Sequence, residues 1–426
     1  MSASTLTEDR ETTPAPKPGN GSQGVRAAVT DYLARLRGGD VGGLPAVLGL
    51  VALVIVFTAL RPNTFTNAFN FANLINQGAA VIVIAMGLVF VLLIGEIDLS
   101  AGYAAGTAGG VMSLLLRQHP ALNWWQGVLI CLATGAVIGT LLGLLVARLG
   151  IPSFVVTLAA FLGLQGVMLK LIGEGGTIPL RDPVLLRVMN SNLPVWLGWA
   201  LMVLVAAVYA VVTLRRVLTR RAGGLHNQGI TVWALKVAAV AVMLALPTYY
   251  LSIERSRNPA VTSIKGVPWV VPVLIVLLGG LTFLLSRTPF GRHVYAVGGN
   301  AEAARRAGIN VPLVRLICFI ACSTLASIAG ILLASRDNSI SPSSGGSSTL
   351  LYAVGAAVIG GTSLFGGKGR IADAILGGLV VAIIANGMGL LNQSSAVVYI
   401  VTGLVLLVAA SVDAISRRRA ASTGRV

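Results

Sequence analysis

Side chains able to do covalent or acid–base chemistry are scarce in this chain of 426 residues, and their spacing does not favour it. The three histidines, His119, His226 and His293, stand far apart with no ligand-type spacing, so no metal site is expected. Cys318 and Cys322 lie one helical turn apart in an apolar run and read as small packing residues instead of a redox or metal pair. No nucleophile–base pair is legible, so a polytopic membrane enzyme is not indicated and no cofactor is called for. The glycine-dense window ending at Lys368 is not a phosphate-binding loop. That loop needs glycine where Thr362 stands and Ser or Thr where Gly369 stands.

What remains is polar chemistry set against apolar runs, in three places. In the first, Asn73, Asn76 and Gln77 open a span at helical spacing. The span runs apolar to Ile94 and stops at Gly95-Glu96-Ile97-Asp98-Leu99-Ser100. Two carboxylates beside an apolar run are costly in contact with lipid, so the break belongs inside protein. The stretch from Tyr103 to Gly110, including Thr107, is almost all Gly, Ala and Thr, which suits close helix packing. A helix start is expected near Ser100, with Asp98 placed to cap it. Asp98 as a cap and the break as the lining of a pathway are compatible readings.

The second place is Gly360-Gly361-Thr362-Ser363-Leu364-Phe365-Gly366-Gly367, which in register with 95–102 shares G-x-x-x-L-x-x-G. Paired broken segments in two halves of a membrane chain point to a transport pathway. The third is the 287–312 loop, where Asn300 is a good N-cap, Glu302 favours the positive start of a helix, and Gly308 can end it. That predicts a helix of about two turns with an alanine face, suited to docking in a partner's groove.

The elements that must position these groups follow from composition. Apolar residues make up 55% of the chain, charged residues 11%, and mean hydropathy is +0.86. A soluble globular surface could not be covered with this inventory, whereas it supplies a dozen spans of roughly 20 residues. The expected fold is all-α: a polytopic transmembrane helical bundle of about 10–12 spans with broken Gly-rich segments. The apolar runs are 43–60, 73–94, 101–116, 127–147, 151–172, 194–214, 230–251, 267–285, 312–334, 349–364, 371–391 and 395–412. Residues 1–40 read as a disordered tail, 41–415 as the membrane domain and 416–426 as a basic tail.

The net charge of +17 is explained by topology. With twelve spans and cytoplasmic termini, 21 of the 31 Lys and Arg residues fall on the cytoplasmic face and eight on the other. Basic runs such as Arg417-Arg418-Arg419 then fix topology and touch anionic lipid, and nucleic-acid binding is not expected.

Taken together, Asn73–Gln77, Gly95–Ser100, Gly298-Gly299-Asn300-x-Glu302-Ala303-Ala304 and Gly360–Gly367 resemble the permease subunits of ribose/xylose-type sugar ABC importers. The added segment between about 181 and 270 is similar to the longer xylose-type permeases. The resemblance implies import of a monosaccharide, xylose or another pentose, across the inner membrane of a bacterium. It also implies a pair of permeases, two cytoplasmic ATP-binding subunits and an extracytoplasmic sugar-binding protein. Gly298, Gly299, Asn300, Glu302, Ala303, Ala304 and Gly308 would form the loop that docks into the ATPase. Two departures stand out. Glu96 takes the place of a glycine, and Leu350-Leu351-Tyr352 stands where Glu-Leu-Asp is common. Because sugars are neutral, amides and hydroxyls should line the path. The candidates are Asn73, Asn76, Gln77, Ser100, Thr107, Thr362 and Ser363, with Asp98, Gly360 and Gly361 at the breaks. The alternative is an ion-coupled secondary sugar transporter or facilitator, which usually buries an acid mid-helix. Here Asp98, Glu174, Asp373 and Asp413 stand at breaks or ends.

Overall fold

The computed structural model describes residues 44–223 and 229–422. The tail expected over 1–40, His226 and the last four residues of the basic tail expected over 416–426 lie outside the described residues; the backbone of that tail is helical as far as Ser422.

All twelve apolar runs are helical. In chain order the first elements are α1 (Leu44–Leu60), α2 (Pro62–Phe65), α3 (Ala68–Leu93), α4 (Ala101–Gln118), α5 (Trp124–Ala147) and α6 (Ser153–Ile172). Then come β1 (Ile178–Pro179), α7 (Pro183–Asn190), α8 (Val195–Ala222), α9 (Ile230–Ser252) and α10 (Val270–Arg287). The last are α11 (Pro289–Gly299), α12 (Ala301–Arg306), α13 (Val311–Arg336), β2 (Ser339–Ile340), α14 (Ser347–Gly360), α15 (Ile371–Leu390) and α16 (Ser395–Ser422). Eight of these helices are long and apolar enough to cross a membrane, three more apolar ones are shorter, and α4 is the buried small-residue helix.

The described residues fall into two compact units. In the unit containing Met202–Leu244, the Trp233 Nε1 donates to the Thr213 hydroxyl at 3.0 Å and joins α8 to α9. The other unit holds the remaining described residues, and its interior is built on α3, α13 and α15. On α5, α6 and α10 the large side chains Leu141, Leu162 and Val276 are exposed, as expected of helices facing lipid tails.

Small residues set the helix contacts inside this unit. Gly135, Gly139 and Gly143 recur every fourth residue on α5 and lie on α13. A Cβ added at Gly135 or Gly139 would stand 2.6 Å from the carbonyl oxygen of Ser323 or Phe319. Without a hydrophobic drive between helices in lipid, such close backbone approach supplies the dispersion that holds the pair.

The α14 helix is too short for a full span. α14 has 14 residues, about 21 Å at 1.5 Å per residue, against a hydrocarbon core of about 30 Å. The 341–346 turn after β2 folds back against α4, where a Cβ at Gly102 would sit 3.0 Å from the Leu350 Cβ. A Cβ at Gly346 would meet the Tyr103 hydroxyl at 3.4 Å. α4 and α14 therefore begin side by side within the protein. Gly345 and Gly346 of the turn are buried at this junction, as irregular backbone among packed helices must be.

The α3 helix starts at Ala68, capped by Asn67, whose Oδ1 accepts from the Phe69 N–H at 2.9 Å. Asn73, Asn76 and Gln77 therefore stand one to three turns inside the helix instead of opening it. A short polar cap outranks the first apolar residue as the start signal.

Candidate functional site

The three polar regions converge, with glycine at the junction. The α11 helix begins at Thr288, whose Oγ1 accepts from the Gly291 N–H at 3.3 Å while its hydroxyl donates to the Leu284 carbonyl at 2.6 Å. Pro289 occupies the first turn, and Val294 and Val297 bury one face. That burial presses Gly298 onto the end of α3, so that a Cβ there would collide with the Leu93 carbonyl oxygen and stand 2.8 Å from the Gly367 nitrogen. The Gly367 N–H donates to that same Leu93 carbonyl at 2.9 Å. A Cβ at Gly366 would lie 2.9 Å from the Gly298 oxygen and 3.0 Å from the Gly95 nitrogen. Gly95, Gly366 and Gly367 all have positive φ, of 76°, 84° and 73°, which glycine adopts at no steric cost. One seam thus joins the first break, the second break and the 287–312 segment. Tyr295 adds to it, its hydroxyl donating to the Gly369 carbonyl at 2.8 Å.

The first break is held by charge as well. Glu96 pairs with Arg315 near the start of α13 at 3.1 Å, both side chains partly buried. Two residues on, Asp98 is fully buried and faces the Cys322 thiol, two turns further along α13. Asp98 Oδ1 accepts from the Ser100 N–H at 2.8 Å and from its hydroxyl at 2.6 Å, whereas Oδ2 is buried with no hydrogen-bond partner. The carboxylate thereby organises the turn into α4, where the helix begins at Ala101 after Ser100.

At the second break, Gly361 ends α14 in the left-handed region with φ of 118°. The buried Ser363 donates its N–H to the Lys368 carbonyl at 2.9 Å, and its Oγ accepts from the Phe365 N–H at 3.1 Å. Thr362 is buried with an unpartnered hydroxyl, and Gly360 is packed on the backbone of Asp373. The Asp373 carboxylate accepts from the Arg370 N–H at 2.7 Å and starts α15.

The short helix expected after Asn300 forms. Asn300 caps α12, its Oδ1 accepting from the Ala303 N–H at 2.9 Å, and Gly308 follows with φ of 84°. α12 has six residues. Ala304 is its buried residue, while Glu302, Ala303, Arg305 and Arg306 are exposed. Glu302 pairs with Arg305 at 3.6 Å and Arg306 at 3.5 Å. α11 was not foreseen, although Thr288-Pro289 followed by spaced apolar residues is a helix-start signal.

A second polar group lies nearer the start of α3. The buried amides of Asn70 and Asn386 exchange two hydrogen bonds of 2.9 Å, and Asn386 also donates to Gln77 Oε1 at 3.3 Å. Asn76 donates to the Met189 carbonyl at 3.2 Å, and its oxygen is buried unpartnered. Asn73 is half-buried on the same helix, and Thr107 is buried on α4 with an unpartnered hydroxyl. Asn70, Asn386 and Arg315 were missed by sequence reasoning. The signal available was that Asn386 and Arg315 are lone polar residues in apolar runs and Asn70 continues the Asn67–Asn73 spacing, so each must find a partner. Beside Gln77 is a cavity of about 210 Å³, walled by α3, α14, α15 and the end of α13. Thr349, Tyr352 and Arg336 also line it. Among the described residues no cluster of three His, Cys, Asp or Glu could hold a metal ion.

The chain is similar to known proteins over most of its length. A family described as "Branched-chain amino acid transport system / permease component" matches residues 70–183 and 183–410. The xylose transport system permease protein of Escherichia coli is 34% identical over 379 residues, 88% of this chain and 92% of that protein. The corresponding protein of Haemophilus influenzae is 32% identical, covering 88% of this chain and 98% of its own. The ribose import permease protein of Escherichia coli is 29% identical, covering 86% and 92%. No solved structure matches the chain. With its membrane-length helices, its paired breaks and relatives above 30% identity along nearly the whole sequence, this chain is a multi-pass membrane protein and belongs to the family of transport-system permease components.

Proposed function

We propose that this chain is the membrane-spanning permease subunit of an ATP-driven importer of a monosaccharide, xylose or another pentose, in the inner membrane of a bacterium. Its permease domain spans 41–415, and the tails 1–40 and 416–426 face the cytoplasm. Two copies pair, two cytoplasmic ATP-binding subunits supply the energy, and an extracytoplasmic sugar-binding protein delivers the substrate. Lipid headgroups meet the basic tail.

The observation that carries this reading is the seam of Gly298 with Gly95, Gly366 and Gly367. An exposed helix built to meet a soluble partner is pinned through α11 to both broken segments, so force applied at Ala303 reaches the breaks through backbone contact. Gly298, Gly299, Asn300, Glu302, Ala303, Ala304 and Gly308 form the docking element. Asp98, Ser100, Gly360, Gly361, Thr362 and Ser363 belong to the moving breaks. Asn73, Asn76, Gln77 and Thr107 supply polar groups along the path. The chain does no chemistry of its own in this scheme: it converts partner closure into alternate opening of the bundle.

The sugar class is supported by the xylose and ribose relatives. The test is uptake of labelled D-xylose by vesicles carrying the permease, the ATP-binding subunit and the binding protein. Uptake should require internal ATP and survive a protonophore. Uptake that collapses with the protonophore and ignores ATP would overturn the reading in favour of ion coupling.

A further inference from the structure

The polar cluster on α3 has a feature that helix packing does not need. Asn386 fixes Gln77 through its carbonyl oxygen, with the Asn70 pair behind it. Among the described residues the Gln77 amide nitrogen has no hydrogen-bond partner, and Gln77 borders the 210 Å³ cavity. At about 30 Å³ per water in the liquid, this volume holds roughly seven waters, the scale of a single sugar ring. Gly78 makes room for it: a Cβ there would stand 3.1 Å from the Ala382 Cβ, so α3 and α15 meet beside the cavity with no bulk between them.

The lining has a definite chemistry. Gln77 offers an amide donor, Thr349 a hydroxyl and Tyr352 both a hydroxyl and a ring whose neighbour is Tyr399 at 6.3 Å between centroids. Alanine, valine, leucine and glycine complete the wall, and among the described residues neither Asp nor Glu lines it. Arg336 brings a positive charge that Asp337 faces at 3.9 Å. An amino acid would need an anion for its ammonium group, and this lining has none to offer. A neutral polyol needs mixed donors and acceptors and an apolar face for its C–H edges, which this lining provides.

We propose that the cavity of Gln77, Thr349 and Tyr352 is a monosaccharide site on the route through the permease, with Gln77 preorganised by the Asn70–Asn386 pair to donate to a sugar hydroxyl. The proposal deepens the reading of the chain as a sugar permease and rests on it for the ligand class. A site that hydrogen-bonds hydroxyl groups rejects ligands lacking them, because its own groups are then left unpaired.

The test uses thiol labelling of the full-length chain in detergent. Cys131, Cys318 and Cys322 are buried, so the background is low. Gln77→Cys and Thr349→Cys variants are labelled with a water-soluble maleimide in the presence of D-xylose or L-leucine. D-Xylose should slow labelling of at least one variant by about twofold or more at saturating concentration, and L-leucine should not. Protection of neither variant overturns the site, and protection by L-leucine overturns the ligand class. In the three-component vesicles, Tyr352→Ala should lower D-xylose uptake about tenfold and Tyr352→Phe by less, as loss of one stacking and hydrogen-bonding group implies. ATP hydrolysis stimulated by loaded binding protein should persist in both. If hydrolysis falls in step with uptake, Tyr352 is structural and the proposal fails. Protection by D-xylose without ATP-dependent uptake in the wild type would instead sink the importer reading and leave the site standing.

Discussion

Gly298→Ala is the sharpest perturbation the seam allows, because its neighbour provides the control. A Cβ at Gly298 collides with the Leu93 carbonyl oxygen and lies 2.8 Å from the Gly367 nitrogen, whereas a Cβ at Gly299 meets nothing within 4 Å. Ordinary non-bonded contact is about 3.5 Å, so clearing Gly367 alone moves α11 by roughly 0.7 Å, and clearing Leu93 moves it further. Overpacking of this kind costs about 1–3 kcal/mol, and losing the Gly367–Leu93 hydrogen bond about 1 kcal/mol more. Alanine recovers up to about 1 kcal/mol through helix propensity, so the net cost is about 1–3 kcal/mol. Gly299→Ala sits in the same helix and takes only that gain. At 1.4 kcal/mol per tenfold, Gly298→Ala should lower ATP-driven sugar uptake by about tenfold or more, with Gly299→Ala near wild type. The assay is initial uptake rate in the three-component vesicles, normalised to permease inserted. Equal rates in the two variants, with both properly inserted, would refute the claim that the seam carries the motion.

Further expectations follow from the same contacts. Glu302→Lys removes surface ion pairs worth about 0–1 kcal/mol, so the melting midpoint should hardly move; co-purification of the ATP-binding subunit should fall sharply. Glu96→Gln should cost about 1–2 kcal/mol for a partly buried pair, and the double exchange Glu96→Arg with Arg315→Glu should recover part of the uptake lost in either single variant. In the loop between α9 and α10, the Ser263 hydroxyl and the Ile264, Ser256 and Arg255 amides hold the Glu254 carboxyl at about 2, below its ordinary 4.5. The sign follows directly: the carboxylate's stabilising contribution is complete above pH 4.5 and is lost as pH falls towards 2. The difference in melting midpoint between wild type and Glu254→Gln, measured in detergent across that window, should therefore shrink on acidification.

The elements were legible because lipid imposes a simple rule: a long apolar run must become a helix, and all twelve runs did. The cap at Asn300 and the stop at Gly308 were legible because both act through their own backbone neighbours. α7 and α11 were missed, although Asp182-Pro183 and Thr288-Pro289 announce them, because short amphipathic helices are masked by the hydropathy of the spans beside them. The shared G-x-x-x-L-x-x-G pattern was faint in a chain with 51 glycines, and nothing in it said that Gly298 lies against both breaks.

Composition, periodicity and local caps alone determined a helical membrane bundle with two interruptions and a short capped helix after Asn300, since each depends on residues close together in the chain. Only the tertiary structure decided that Glu96 meets Arg315, that Gln77 is fixed by Asn386 and that three distant glycine segments form one seam. Those contacts join residues tens to hundreds of positions apart. They depend on helix rotation and depth, which fractions of an ångström in small-residue packing control and a linear pattern does not encode.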